Sequence, residues 1–415
     1  MKKILISAIC LGILFLNHVS AQTIAQWRGT DRKGVYNEPH LLRFWPAGGP
    51  RMIWSSDSVG NGFGAPAVTS DRLYITGETD SVEYLYSFDL SGHLLWKTAC
   101  GKEWMISYPG SRSTPTATAD GIYVCTGLGD LSCFDPGTGS RLWTVSMIND
   151  LHGTHTLHGH SESPLVDGNK VFMTPGGADT NVVALDRHTG RILWICKGRG
   201  ERSAYNSPIL IQLPARSILV TFSAYAIMGI DTETGQMLWW QEQDTYPLAE
   251  RKPGYGDTHS NSAWYEDGYI YYIAGDGNGA VKLKLSADGS QVRQVWRNQS
   301  IDNFMGGFVK TGNSIYTCGY ARKNLQRLDA ETGLSTDFLK CGAGTLIMAD
   351  SMLYYYNQRG EMNLIKWQGR KPEVISSFRI TRGKREHFSH PVIRNGVLYL
   401  RRGNALMAFD IKDRS

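Results

Sequence analysis

Apolar residues in this 415-residue chain fall into short runs broken by turn formers. The clearest unit is Val182 to Trp194, V-V-A-L-D-R-H-T-G-R-I-L-W. Val182–Leu185 suits a strand. Asp186 to Gly190 suits a tight turn, because Asp can bond the backbone that follows it and Gly190 can take a positive φ. Arg191 to Trp194 suits a second strand ending in a large aromatic. The same hairpin recurs where Asp89 leads to Trp96, Asp135 to Trp143 and Asp231 to Trp239. Weaker copies run from Ser286 to Trp296 and from Asp329 to Phe338. The Trp residues are spaced by 47, 51, 45 and 57 residues. A strand-turn-strand period of roughly 40–50 residues predicts the blades of a β-propeller.

Eight repeats are expected, near 64–98, 112–146, 161–197, 206–241, 260–297, 306–339, 343–379 and 388–410. Several open on a short strand after a small residue and Pro, as at Ala65-Pro66, Thr114-Pro115, Ser163-Pro164 and Ser207-Pro208. Pro is tolerated at the first residue of a strand. The eighth repeat runs out after Ala405–Ile411, one strand short. Met52–Ser55 resembles a last strand with Trp54 in the aromatic place, yet no hairpin precedes it. Pairing Met52–Ser55 with Met407–Asp410 would close the ring and remove its open edges. The expectation is an all-β, eight-bladed propeller of four-stranded blades over 51–415. An ordered lead-in, 22–50, is draped over it, and no internal linker divides it. The Trp residues are expected to pack between blades.

Residues 1–21 read as a secretory leader. Lys2 and Lys3 precede an apolar run, and Val19-Ser20-Ala21 suits cleavage before Gln22. Cys10 follows the bulky Ile9, which disfavours lipid attachment there. No other apolar run is long enough to cross a bilayer. A periplasmic or cell-surface location is expected. The 43 Lys and Arg, less Lys2 and Lys3, face 38 Asp and Glu, a net +3 after cleavage. These charges are interspersed, which argues against nucleic acid as a partner. Six Cys remain after the leader. Cys125 and Cys133 lie symmetrically about Gly129 and could pair across a hairpin. Alternatively, all six stay buried thiols.

The connections entering the inner strands are long and polar, whereas the Asp–Gly turns at the other end are short. Elaborated loops on one face of a rigid scaffold usually carry function. Seven of the eleven His lie in or beside these loops. His152, His155, His158, His160 and Glu162 form the densest group. Imidazoles and a carboxylate can ligate transition metals, but the spacing fits no firm zinc signature and no metal is assigned. These residues could equally serve in acid–base work, or simply hydrogen-bond the loop. The expected ligand-binding residues are Arg112, His158, His160, Glu162, Tyr205, Asn206, His259, Asn261, Asn303, His387 and His390. An Arg with amide and imidazole neighbours suits carboxylates, phosphates or sugars. The Asn residues could instead satisfy backbone groups ahead of the inner strands.

The motif A-L-D-x-x-T-G-x-x-L-W, ending at Trp194, resembles the pyrrolo-quinoline quinone (PQQ) repeat. That repeat occurs in quinoprotein alcohol dehydrogenases and in the β-propeller lipoprotein of outer-membrane assembly. The stretches Glu162 to Gly177 and Trp27 to Val35 are similar to exported PQQ-binding-like β-propeller proteins. The resemblance implies PQQ with calcium as a possible cofactor, with Glu162 and Asn261 as possible calcium ligands. The adjacent-Cys ring of the dehydrogenases has no counterpart in this sequence. The main expectation is an envelope propeller binding a small polar or sugar-like ligand in its funnel, without catalysis. One alternative is a PQQ-dependent oxidoreductase acting on an alcohol or sugar. The other is a protein-interaction scaffold, as in outer-membrane assembly, with a partner protein in the envelope. A scaffold should present an apolar docking surface, and a small-molecule binder a deep polar funnel.

Overall fold

The computed structural model describes residues 24–243, 247–369 and 371–414. The expected leader, 1–21, lies outside the described residues. Eight sheets of four principal strands form the eight blades. Blades 1 to 7 cover 67–102, 116–146, 165–196, 209–242, 264–298, 308–339 and 344–379, each an antiparallel meander. Blade 8 takes its inner strands from Val392–Arg394, Val397–Arg402 and Ala405–Asp410 and its outer strand from Arg51–Ser56. Met52 lies opposite Phe409 and Trp54 opposite Ala408. The expected closure therefore forms, with a bulge between Met52 and Trp54.

The Asp–Gly turns do two jobs. Asp186 Oδ1 accepts hydrogen bonds from the amides of His188 and Thr189 at 3.1 and 2.9 Å, and Gly190 sits at φ 72°. The turn also meets the preceding blade. Trp54, Trp96, Trp143, Trp194, Trp239 and Trp296 each donate Nε1 to a carbonyl in the next blade's turn, at 2.9–3.3 Å. For all of these but Trp239, the turn glycine of that next blade packs on the same indole. A Cβ added at Gly235 would fall 2.7 Å from Trp194 Cδ2. The repeat motif thus encodes blade-to-blade contact as well as the hairpin. The core lies between blades, in clusters such as Phe172, Trp194, Leu219 and Met228 across blades 3 and 4.

The six described cysteines are free thiols. Cys125 faces Leu131, and Cys133 faces Tyr123. The hairpin register offsets the two thiols, so the cross-hairpin pairing does not form.

Candidate functional site

The lead-in docks on the face of the short turns and crosses the channel. Ala25 bridges Ala117 at the end of blade 2's inner strand, and Val35–Tyr36 add in parallel to blade 7's inner strand at Met348 and Ala349. Between these anchors Arg28 and Arg32 enter the channel, both essentially buried. Arg28 donates to the carbonyls of Leu346 at 2.9 Å and Phe308 at 2.6 Å and meets His390 Nδ1 at 3.0 Å. Arg32 donates to Ser163 O at 2.9 Å, Pro208 O at 3.3 Å and Pro164 O. Burial lowers their pKa values to about 10 and about 9, so both stay charged at neutral pH. Gly34 is needed here: any Cβ would lie 2.3 Å from Arg28 Nη2. The lead-in therefore plugs the channel as well as covering it.

Above the plug, on the long-loop face, lies a funnel of about 440 Å³ whose lining includes Trp27. An arc of rings follows its wall. Phe63 and Phe388 have centroids 5.6 Å apart, Phe388 and Tyr108 6.1 Å, Tyr108 and His158 5.9 Å, and His158 and Tyr205 6.0 Å. Phe304 and Tyr320 meet edge to face across 5.2 Å and line the same space. Tyr108 and Tyr205 sit at φ 45° and 72°. Bulky residues rarely adopt that left-handed conformation, and such strain concentrates at working sites.

Burial shifts several of the funnel's ionisable groups toward their neutral forms. His390 is pushed well below the usual imidazole range by burial and by Arg28. Burial and Arg112 lower His158, whose Nδ1 meets Ser107 Oγ at 3.0 Å. Burial raises Asp276, which accepts from the Thr258 amide at 3.2 Å. Arg112 is committed to its own loop: it donates to the carbonyls of Gly110 and Tyr108 at 2.8 Å each, and its Nη1 lies 3.4 Å from Glu103.

Of the eleven expected residues, Arg112, His158, Tyr205 and His390 line this funnel. The other seven do not. Glu162 accepts from the Thr174 amide at 2.8 Å. Asn206 accepts from the Phe222 amide at 3.3 Å. Asn261 bridges blades 5 and 6, accepting from Gly307 N and donating to Asn303 O, both at 2.8 Å. Asn303 donates to Gly307 O at 2.8 Å and Thr317 Oγ1 at 2.9 Å. His259 lies between Gln243 and Ala224 O. His160 is buried against Gly129, and burial lowers both of these imidazoles to about 4. His387 lines a separate cleft. These amides chiefly complete the backbone around the inner strands. Sequence reasoning missed Trp27, Phe63, Tyr108, Phe304, Tyr320 and Phe388. The available signal was an aromatic shortly before an inner strand, as in Phe63-Gly-Ala-Pro66 and Phe388-Ser-His-Pro391.

The residues present do not fit PQQ with calcium. The two calcium-ligand candidates, Glu162 and Asn261, are spent on backbone amides and do not line the funnel. Among the described residues no three His, Cys, Asp or Glu side chains converge as a ligand set. The clamping pair of adjacent Cys is missing from the sequence.

The sequence model of the family described as "Outer membrane protein assembly factor BamB" matches residues 81–336. The protein of that name from Bordetella pertussis is 26% identical over 208 residues, 49% of this chain and 48% of that protein. Its namesake from Shewanella oneidensis is 24% identical over 189 residues, 42% of each chain. The chain thus matches about half the length of these relatives. The crystal structure of BamB from Moraxella catarrhalis superposes with a TM-score of 0.61 at 14% identity. The match covers 88% of this chain and 98% of that one and speaks for the fold alone.

Proposed function

This chain belongs to the outer membrane protein assembly factor BamB family, and from that premise we propose that it acts in the cell envelope as a docking scaffold. In this reading the funnel receives an extended, aromatic-bearing segment of a partner protein. The observation that carries it is the aromatic arc from Phe63 through Tyr205, set above a closed channel. Rings arranged edge to face or tilted attract further rings and apolar side chains. Strands of outer-membrane barrels carry such side chains in their aromatic girdles. The small polar or sugar-like ligand expected from the loops has weaker support, because most of the amides and imidazoles behind that expectation face away from the funnel. The relatives' name and the expected leader both favour an envelope location.

The test is anisotropy of a labelled aromatic-rich barrel-strand peptide titrated with the mature protein. Tyr108→Ala and Phe388→Ala should each cost about 2 kcal/mol of binding, as truncated aromatic anchors do, with the thermal midpoint kept. Equal binding by both variants removes the funnel from the interface. If a free sugar bound in a Tyr108-dependent way and the peptide did not, the small-ligand reading would replace this one.

A further inference from the structure

A second concave surface lies on the long-loop face between blades 7 and 8, and the scaffold reading leaves it unused. It is a cleft of about 580 Å³ whose lining includes Arg359, Arg379, Arg385, Arg402, Glu386 and His387. Four guanidinium groups against one carboxylate leave a net +3. Among the described residues the side chains of Arg359, Arg379 and Arg385 have no acidic partner and no hydrogen bond. Arg402 commits only Nε, which donates to Arg385 O at 3.1 Å. Adjacent Arg382, by contrast, is paired with Asp57 at 3.0 Å and does not line the cleft.

The loop that carries Arg385 is held in place. Arg385 sits at φ 70°, and a Cβ at Gly403 would lie 2.0 Å from Lys384 O. Strain of this kind persists only where surrounding contacts impose it. His387 is fixed at the back of the cleft, with its Nδ1 against the Tyr356 hydroxyl and its ring against Gly360, where a Cβ would meet Cε1 at 2.7 Å. Burial raises Tyr356, so its hydroxyl stays protonated. When that hydroxyl donates to Nδ1, the imidazole proton sits on Nε2. The cleft then presents guanidinium forks and one neutral N–H donor.

We propose that this cleft binds a phosphate group carrying two negative charges, a phosphate monoester or pyrophosphate. Arg forks match phosphate oxygens in bidentate fashion. One carboxylate would leave most of these guanidiniums unmatched, whereas a doubly charged phosphate offsets most of the excess. The phosphate could belong to a lipid headgroup or to a soluble compound.

The mature protein is titrated calorimetrically with pyrophosphate at low salt, and floated with phosphatidylcholine vesicles with and without phosphatidic acid. Arg379→Gln and Arg385→Gln change exposed side chains and should each weaken pyrophosphate about tenfold or more. Arg382→Gln should leave it unchanged. Flotation that requires phosphatidic acid and is lost in R379Q/R385Q assigns the lipid headgroup. Pyrophosphate binding without flotation assigns a soluble phosphate. Absence of both, or equal binding by R379Q/R385Q, overturns the proposal. Equal competition by poly-glutamate overturns the phosphate assignment in favour of an acidic protein segment. The Tyr108 and Phe388 variants should leave pyrophosphate binding intact, so this result stands apart from the funnel's.

Discussion

Replacing Gly235 by Ala should loosen the contact between blades 3 and 4, and the structure separates two costs. Gly235 sits at φ 73°, and an added Cβ would lie 2.7 Å from Cδ2 and Cε3 of Trp194. The left-handed backbone alone costs an L-residue about 1–2 kcal/mol. The Cβ also strikes a ring that is buried and tied through Nε1 to Thr232 O at 2.9 Å. Overpacking of that kind adds about 1–3 kcal/mol. Gly168 supplies the control: it has φ 55° and open space around its Cβ position, so Gly168→Ala should show the backbone cost alone. Urea unfolding followed by circular dichroism reads both. Trp194→Leu clears space for the new methyl, so W194L/G235A should be less destabilised than the sum of its parts, by about 1 kcal/mol. If G235A is no worse than G168A, or if the double-mutant cycle is additive, the turn glycine is not there for the indole and the inter-blade role of the repeat is wrong.

Burial lifts the Glu162 carboxyl from 4.5 to about 8, against the opposing pull of Thr174 and Arg32. The folded state then keeps a proton that the unfolded chain has lost. The resulting stability is complete below pH 4.5 and declines up to about pH 8, at no more than about 1.4 kcal/mol per pH unit. Glu162→Gln should flatten that part of the stability–pH curve, and an unchanged slope would refute the assignment. A calorimetric titration with PQQ and calcium should give no binding heat; micromolar affinity, about −8 kcal/mol, would reverse the judgement on the cofactor.

The repeat was readable because its determinants are local. Asp, Gly and Trp satisfy a turn and the neighbouring blade's contact within one motif, and counting strands showed that Arg51–Ser56 had to complete blade 8. The funnel was readable only as a neighbourhood. Where the loops run into the inner strands, neighbouring side chains turn to opposite sides. Ser161 and Ser163 line the funnel while His160 and Glu162 do not. Tyr205 and Ser207 line it while Asn206 does not, and Thr258 and Ser260 line it while His259 and Asn261 do not. Choosing residues for their chemistry took several of the wrong parity. In these segments the amides and acids turn toward unsatisfied backbone, and the inward places go to hydroxyls and rings. Nothing in one sequence fixes that phase without the strand positions.

The plug explains how aromatic rings can line the funnel. Eight inner strands converge on one axis, and the carbonyls at their first residues would line a wet channel. Arg32 takes carbonyls at the entry to blades 3 and 4, and Arg28 takes those of blades 6 and 7. Ala25 ties the same segment to blade 2, and Glu38 ties it to blade 8 through the amides of Asn395 and Gly396. One segment thus fastens six blades and removes the polar lining that would draw water through the ring. With those carbonyls satisfied, Trp27 can face the funnel beside His390, their rings 5.4 Å apart. A ligand resting against Trp27 would therefore bear on the same segment that Arg28 and Arg32 anchor to the blades.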